Sequence, residues 1–180
     1  MTLIPLPQNE TERLEALHRY EILDTPPEEA FDELTRLAAY TCTTPIAYIS
    51  LIDADRQWLK AQVGPMPPET PREFAFCSHC ILQEGIMTVR DTLADPRFAD
   101  NPMVKADPKI RFYAGAPLMN ANGLALGSLC VMDYMPRELD PSQMESMRLL
   151  SRQVVRQLEI RNNLAALSRA VETFQKSLSE

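Results

Sequence analysis

Glycine is scarce in this 180-residue chain, with five residues against fifteen prolines. No phosphate-cradling glycine loop is present, so nucleotide binding of that kind is not expected. Ser128 follows Gly127, but the G-x-S-x-G pattern of a nucleophile elbow is missing. No run approaches the roughly 18 apolar residues that a membrane-spanning helix requires. Met1 to Glu10 lacks the basic-then-apolar order of a signal peptide. Basic clusters are lacking too: the densest stretch, Lys105, Lys109 and Arg111, is interrupted by Asp107. With 25 acidic against 18 basic side chains the net charge is −7. Such a surface repels phosphate backbones and anionic membranes, which argues against nucleic-acid and membrane partners. The expected setting is the cytoplasm, with the four cysteines (Cys42, Cys77, Cys80 and Cys130) reduced.

What is present suits one globular domain: 45% hydrophobic and 24% charged residues in a chain too short for two full domains. Asn9 is placed to cap a first helix, with Glu12 completing a capping box. Leu14, Leu17 and Ile22 give that helix an apolar stripe, and Thr25-Pro26-Pro27 stops it. A second helix carries Ala30, Phe31, Leu34, Leu37, Ala38 and Tyr40 at helical spacing and ends near Cys42. Ile46 to Ile52 is a dense β-branched and aromatic run. It turns at Asp53-Ala54-Asp55 and returns over Gln57 to Val63 as a hairpin. Gly64 to Glu73 is irregular and holds four prolines. Phe74 to Leu82 reads as a short helix, and Thr88 to Arg90 as a short strand before the loop Asp91 to Pro108. Two long loops in so small a domain suggest binding loops or lids. Phe112 to Met119 and Ala125 to Asp133 form a second hairpin around Asn120-Ala121-Asn122-Gly123. Gly115, Gly127 and Ser128 keep it narrow in places, as close backbone approach or a bulge would require.

Asp140 caps a last helix with Pro141 at its first position. Its first part, Met144 to Leu158, offers Met147, Leu150, Val154, Val155 and Leu158 for packing on a sheet. From there the apolar positions are Ile160, Leu164, Leu167, Val171, Phe174 and Leu178, spaced 4, 3, 4, 3, 4. That is the seam of a two-stranded coiled coil. The order of elements predicts an α+β fold with an antiparallel sheet. The chain divides into a lead-in (1–24), a domain (25–158) and a signalling helix (159–180).

Several blocks in a fixed order carry a family resemblance: "LPQNETERLEALHRYEILDTPPEEAFDELTRLAA", "PIAYISLIDADRQWLKA", "ETPREFAFCSHCIL", "DPRFADNP", "IRFYAGAPL" and "LGSLCVMD". Together they resemble the GAF domains, specifically a bacterial subgroup at the N-terminus of sensor histidine kinases and diguanylate cyclases. The resemblance implies a roughly six-stranded antiparallel sheet with terminal helices on one face and ligand-pocket loops on the other. It also implies dimerisation through those helices and a kinase or cyclase output domain, in cis or in trans. It supplies neither a ligand nor a cofactor.

Two groups of residues stand out. Phe76-Cys77-Ser78-His79-Cys80 sets a thiol pair at CxxC spacing around a histidine. Such a pair can be redox-active or bind metal, yet one pair is too few for a closed zinc site, and no metal site is assigned. Tetrapyrrole attachment in the phytochrome-like branch takes a cysteine followed directly by histidine, and here Ser78 intervenes. The Asn-Lys-Phe-Asp-Glu motif of cyclic-nucleotide-binding GAF domains is absent. The second group is cationic and aromatic: Arg72, Arg97, Phe98, Arg111, Phe112 and Tyr113, with Trp58 and Lys60 from the first hairpin. Beside Cys77 and His79 it suits a small anionic or planar ligand. Equally, these arginines suit anchoring of the loops through Asp91, Asp95 and Asp100.

No catalytic residue is assigned. The expected function is a non-catalytic sensory input domain that receives a small ligand or a redox signal, with Cys77 and Cys80 as the redox pair. The seam Ile160, Leu164, Leu167, Val171, Phe174 and Leu178 would pair two chains. Two alternatives remain: a cysteine-based enzyme or sensor resembling the methionine-sulfoxide-reductase GAF branch, and a purely structural dimerisation module.

Overall fold

A computed structural model describes residues 6–178, although the side chain of Leu178 and all of residues 1–5, 179 and 180 lie outside the described part. Two N-terminal helices, α1 (Glu10–Arg19) and α2 (Glu29–Cys42), precede the hairpin β1 (Ile46–Ile52) and β2 (Arg56–Val63). A short β3 (Glu69–Pro71), a 3-10 turn (Arg72–Phe74), α3 (Phe76–Cys80), β4 (Met87–Val89) and α4 (Pro102–Lys105) follow. The second hairpin, β5 (Phe112–Met119) and β6 (Ala125–Asp133), leads into α5 (Pro141–Leu178).

The six strands form one sheet in the order β3-β2-β1-β6-β5-β4, every pairing antiparallel. The two hairpins are joined through β1 and β6, which pair from Ile46–Met132 to Leu51–Gly127. Both central strands are buried along their whole length because each face of the sheet is covered. That double burial explains why "IAYISLI" reads as a continuous apolar run rather than an alternating one.

On one face Ala47, Ile49, Leu51, Trp58, Phe112 and Val131 meet α1, α2 and α5 through Leu17, Phe31, Met147, Val154 and Leu158. On the other, Tyr48, Ile52, Leu59, Tyr113, Cys130 and Met132 meet Phe76, Cys77, Cys80, Phe98 and Val104 from the loops. The chain is thus three layers: helices, sheet and loop cover.

Gly127 makes the central pairing possible. A Cβ there would run into the Ser50 carbonyl oxygen across the β1–β6 ladder, where a strand has nowhere to move.

The sequence expectations need several corrections. α1 ends at Arg19 rather than at the prolines, because Glu21 takes a left-handed φ of 46°. Ile22 is buried beyond the helix, and the buried face of α1 is Arg13, Ala16 and Leu17, with Leu14 only half-buried. Asn9 makes no side-chain capping bond. On α2, Tyr40 is 84% exposed. It lies nine positions after the buried Phe31, about 180° round the helix. Leu37, six positions after Phe31 and so about 120° round the helix, is exposed too. The short helix expected over 74–82 is split by Ala75 in an extended conformation, and β3 and α4 were not legible in the sequence. Asp140 and Gln143 do cap α5 reciprocally, each side chain accepting the other's backbone N–H.

Candidate functional site

Beneath the loop cover lies a buried cluster of polar groups. Period-two alternation turns Tyr48 and Ser50 of β1, and Ser128 and Cys130 of β6, onto this face, and the register sets Tyr48 opposite Cys130 and Ser50 opposite Ser128. Tyr113 joins them from β5. Its hydroxyl folds back over Gly115, where a Cβ would collide with the phenol oxygen. α3 delivers Cys77 from above. The Tyr113 hydroxyl donates to Cys77 Sγ at 3.4 Å, and Cys77 Sγ sits 3.9 Å from both Tyr48 Oη and Cys130 Sγ. Ser128 Oγ lies 3.3 Å from Ser50 Oγ and 3.5 Å from Tyr113 Oη.

The three thiols differ in acidity. Burial opposes ionisation of Cys77, but the Cys130 thiol and the hydroxyls of Ser128, Ser50 and Tyr113 converge on it and hold its thiol at about 6. Burial and the nearby Cys77 push Cys80 up to about 12. Cys130 is raised well above the ordinary thiol range by burial and by Cys77. Cys77 is therefore the most acidic thiol of the group.

The two thiols of the CxxC pair take different hydrogen-bond partners. Cys80 Sγ turns toward β5 and donates to the Gly115 carbonyl at 3.2 Å. His79 is half-buried, edge-on to Phe98 at 4.8 Å, and burial and the neighbouring Arg97 lower its pKa. Phe98 packs tilted against Phe76 at 4.7 Å, and Phe76 stacks on Tyr113 at 5.3 Å, so aromatic rings fill the space between sheet and loops. Among the described residues no group of three or more His, Cys, Asp and Glu is placed to hold a metal ion.

The structure does not gather the cationic-aromatic set into one site. Trp58 and Lys60 alternate onto the helix face, where Lys60 Nζ donates to Thr25, to the Pro26 carbonyl and to Glu28, and lies over Phe31. Phe112 also points to the helix face. Arg72 reaches back to Glu10 at 2.6 Å and to the Asp53 carbonyl at 2.9 Å, tying α1 to the first hairpin turn. Arg97 pairs with Asp95, and Arg111 donates to the carbonyls of Val104 and Ile110. Only Cys77, Phe98 and Tyr113 join the buried face, with His79 at its rim. Sequence reasoning did not name Tyr48, Ser50 or Ser128 as members of this cluster. The available signal was polar residues at every second position in strands that are otherwise apolar.

A second arrangement lies on the helix side. Glu28, at the start of α2, accepts from Lys60 of β2 at 2.7 Å and from Arg161 of α5 at 2.9 Å. Arg161 also donates to the carbonyls of Tyr20 and Glu21, and Tyr20 donates to Glu159 at 2.5 Å. Beyond this clasp Ile160, Leu164, Leu167, Val171 and Phe174 are all exposed, by 47% to 64%. No helix among the described residues is long and apolar enough to cross a membrane.

A cyclic di-GMP phosphodiesterase of Pseudomonas aeruginosa is 45% identical over 137 residues, which is 76% of this chain but 23% of that protein. The chain thus spans about a quarter of that relative's length. The GAF domain of an Acinetobacter phosphoenolpyruvate-protein phosphotransferase superposes with a TM-score of 0.61 at 18% identity, covering 86% of this chain and 98% of the other. A free methionine-R-sulfoxide reductase from Neisseria meningitidis gives 0.61 at 15% identity over 92% and 99% of the two chains. These two likenesses establish the fold alone. The GAF domain model matches residues 26–158, and with the six-stranded sheet this makes the chain a member of the GAF domain family.

Proposed function

We propose that this domain is a non-catalytic sensory input module whose state is passed along α5 to a signalling enzyme. The observation that carries the reading is the double character of α5. Met147, Leu150, Val154 and Leu158 pack against the sheet, and the same uninterrupted helix then presents an exposed apolar row at heptad spacing. At about 1.5 Å per residue, its 38 residues run some 57 Å. A shift in the sheet thereby reaches the far end of the helix. Ile160, Leu164, Leu167, Val171 and Phe174 supply a seam for a second copy of this chain, continued in sequence by Leu178. The lead-in (1–24), the domain (25–158) and the helix (159–180) then act as receiver mount, receiver and transmitter.

The signal arrives at the loop face. A small ligand would have to displace Phe76, Phe98 and Tyr113, and His79 and Arg97 stand at the edge of that opening. The output partner is a kinase, a cyclase or, by analogy with the Pseudomonas relative, a cyclic di-GMP phosphodiesterase, working in the cytoplasm. Analytical ultracentrifugation of the whole chain tests the relay. A dimer that a Leu164→Ser/Leu167→Ser variant abolishes is expected. A strict monomer at high concentration overturns it.

The three buried thiols favour one second reading, a thiol-dependent reductase like the structural neighbour from Neisseria. Turnover of free methionine-R-sulfoxide with a thiol donor would establish that reading in place of the first; none is expected.

A further inference from the structure

The thiol facing Cys77 is not its CxxC neighbour but Cys130, two strands in from the sheet edge. Cys80 donates to the Gly115 carbonyl, whereas Cys77 Sγ and Cys130 Sγ are hydrogen-bonded at 3.9 Å. A disulfide requires about 2 Å between sulfurs. Closing the remaining gap of about 2 Å falls to Cys77 and the short helix α3, because Cys130 is held by its pairing with Tyr48 and Gly115 on both sides. The remaining cysteine, Cys42, ends α2 on the opposite face of the sheet and cannot compete.

We propose that Cys77 and Cys130 form a reversible disulfide under hydroperoxide, making this GAF domain a redox receiver. The Cys77 thiolate attacks one peroxide oxygen and the O–O bond breaks. The distal oxygen takes a proton and leaves as water or alcohol, and Cys77 becomes a sulfenic acid. The Cys130 sulfur then attacks Cys77 Sγ, the S–O bond breaks, and the sulfenic hydroxyl leaves as water with the Cys130 proton. Two thiols are oxidised and one peroxide is reduced. A dithiol reverses the step by exchange. The Tyr113 hydroxyl donates to the attacking sulfur, and the Tyr48 hydroxyl, which accepts from it, lies on another side. Because Cys77 and Cys130 are both fully buried, the oxidant is small and uncharged, and it enters by local opening of the loop cover.

The bond would staple α3 to β6 and draw Cys77 off Tyr113. β6 carries Leu129 and Val131 against the helix layer on its other face, so the sheet conveys the change. This inference deepens the input-module reading and rests on it for the downstream effect only.

The test treats the reduced whole chain with hydrogen peroxide, blocks free thiols with N-ethylmaleimide and maps disulfide-linked peptides by mass spectrometry. A Cys77–Cys130 link, lost on dithiothreitol and formed at wild-type yield in Cys80→Ser, is expected. In Cys130→Ser, a dimedone adduct at Cys77 should replace the link. The wild-type and Cys80→Ser maps decide the matter even if Cys130→Ser fails to fold. A Cys77–Cys80 link, a link through Cys42, or four free thiols after peroxide overturns the proposal. Sedimentation of oxidised and reduced protein separates the two readings: a monomer in both states sinks the relay and leaves the disulfide standing.

Discussion

Glu28 holds Arg161 at 2.9 Å, so the first residue ahead of α2 grips α5 where that helix leaves the domain. The same carboxylate oxygen takes the Lys60 ammonium at 2.7 Å, and the Lys60 side chain is wholly buried. The two contacts are not equal. Removing Glu28 leaves a buried cation unpaired, which costs about 3 kcal/mol or more. Removing Arg161, which is partly exposed, costs about 1 kcal/mol or less. Glu28→Ala should therefore lower stability in urea far more than Arg161→Met. Both should speed amide exchange in α5 beyond Leu158. Equal losses in the two variants would refute this ranking.

Acid should loosen α1 as pH falls below the ordinary carboxylate range. Glu10 accepts from Arg13 Nε and Nη2 at 2.8 Å and from Arg72 at 2.6 Å, and Arg13 is completely buried. Partial burial raises the Glu10 carboxyl, but the two guanidinium groups outweigh it and bring it from 4.5 down to about 2. A carboxylate depressed in the folded state contributes stability that is full above its unfolded value and is lost as pH falls through the folded one. The Glu10 contribution should thus fade between pH 4.5 and about 2. In Glu10→Gln that part of the pH dependence should vanish, with about 3 kcal/mol lost at neutral pH for the uncompensated Arg13. Urea titrations at stepped pH measure both effects.

Gly127 should tolerate no side chain. Gly127→Ala forces the Ser50 carbonyl and the β1 backbone to move at the centre of a sheet covered on both faces. Overpacking of this kind costs about 1–3 kcal/mol, here toward the upper end because backbone rather than a side chain must yield. Gly123→Ala, at a left-handed turn position with open space around it, should cost only about 1 kcal/mol. Thermal melts of the two variants give the contrast.

How legible this molecule is depends on the range of the interaction. The two hairpins, the cap of α5 and its heptad row follow from local chemistry: the Asn-Ala-Asn-Gly turn, the Asp140–Gln143 exchange, and spacing along one helix. The face each residue occupies does not. Trp58 and Lys60 look like partners of Arg97 and Phe98 by composition, but strand alternation sends them through the sheet to the helices. Cys80 looks like the partner of Cys77 by spacing, while the thiol that faces Cys77 is 53 residues away. Registers such as Tyr48–Cys130 arise only once β1 and β6 pair, and no local pattern encodes that pairing.

The acidity of Cys77 should be readable directly, because it stands apart from every other thiol. Its pKa is about 6, whereas Cys42 and Cys80 are pushed to about 11 and 12 and Cys130 is raised well above the ordinary range. Ultraviolet thiolate absorbance of the reduced protein should show one thiol ionising near pH 6 and the others silent through neutral pH. Cys77→Ser should erase that step and Cys80→Ser should leave it. Tyr113→Phe withdraws the hydroxyl donated to Cys77 Sγ at 3.4 Å. A hydrogen bond to a charged group contributes about 1.5 kcal/mol, so the step should move up by about one pH unit. If the step keeps its place in Tyr113→Phe, the phenol does not hold the thiolate. If wild type shows no ionisation below pH 8, burial has won over the converging donors and Cys77 is not the nucleophile.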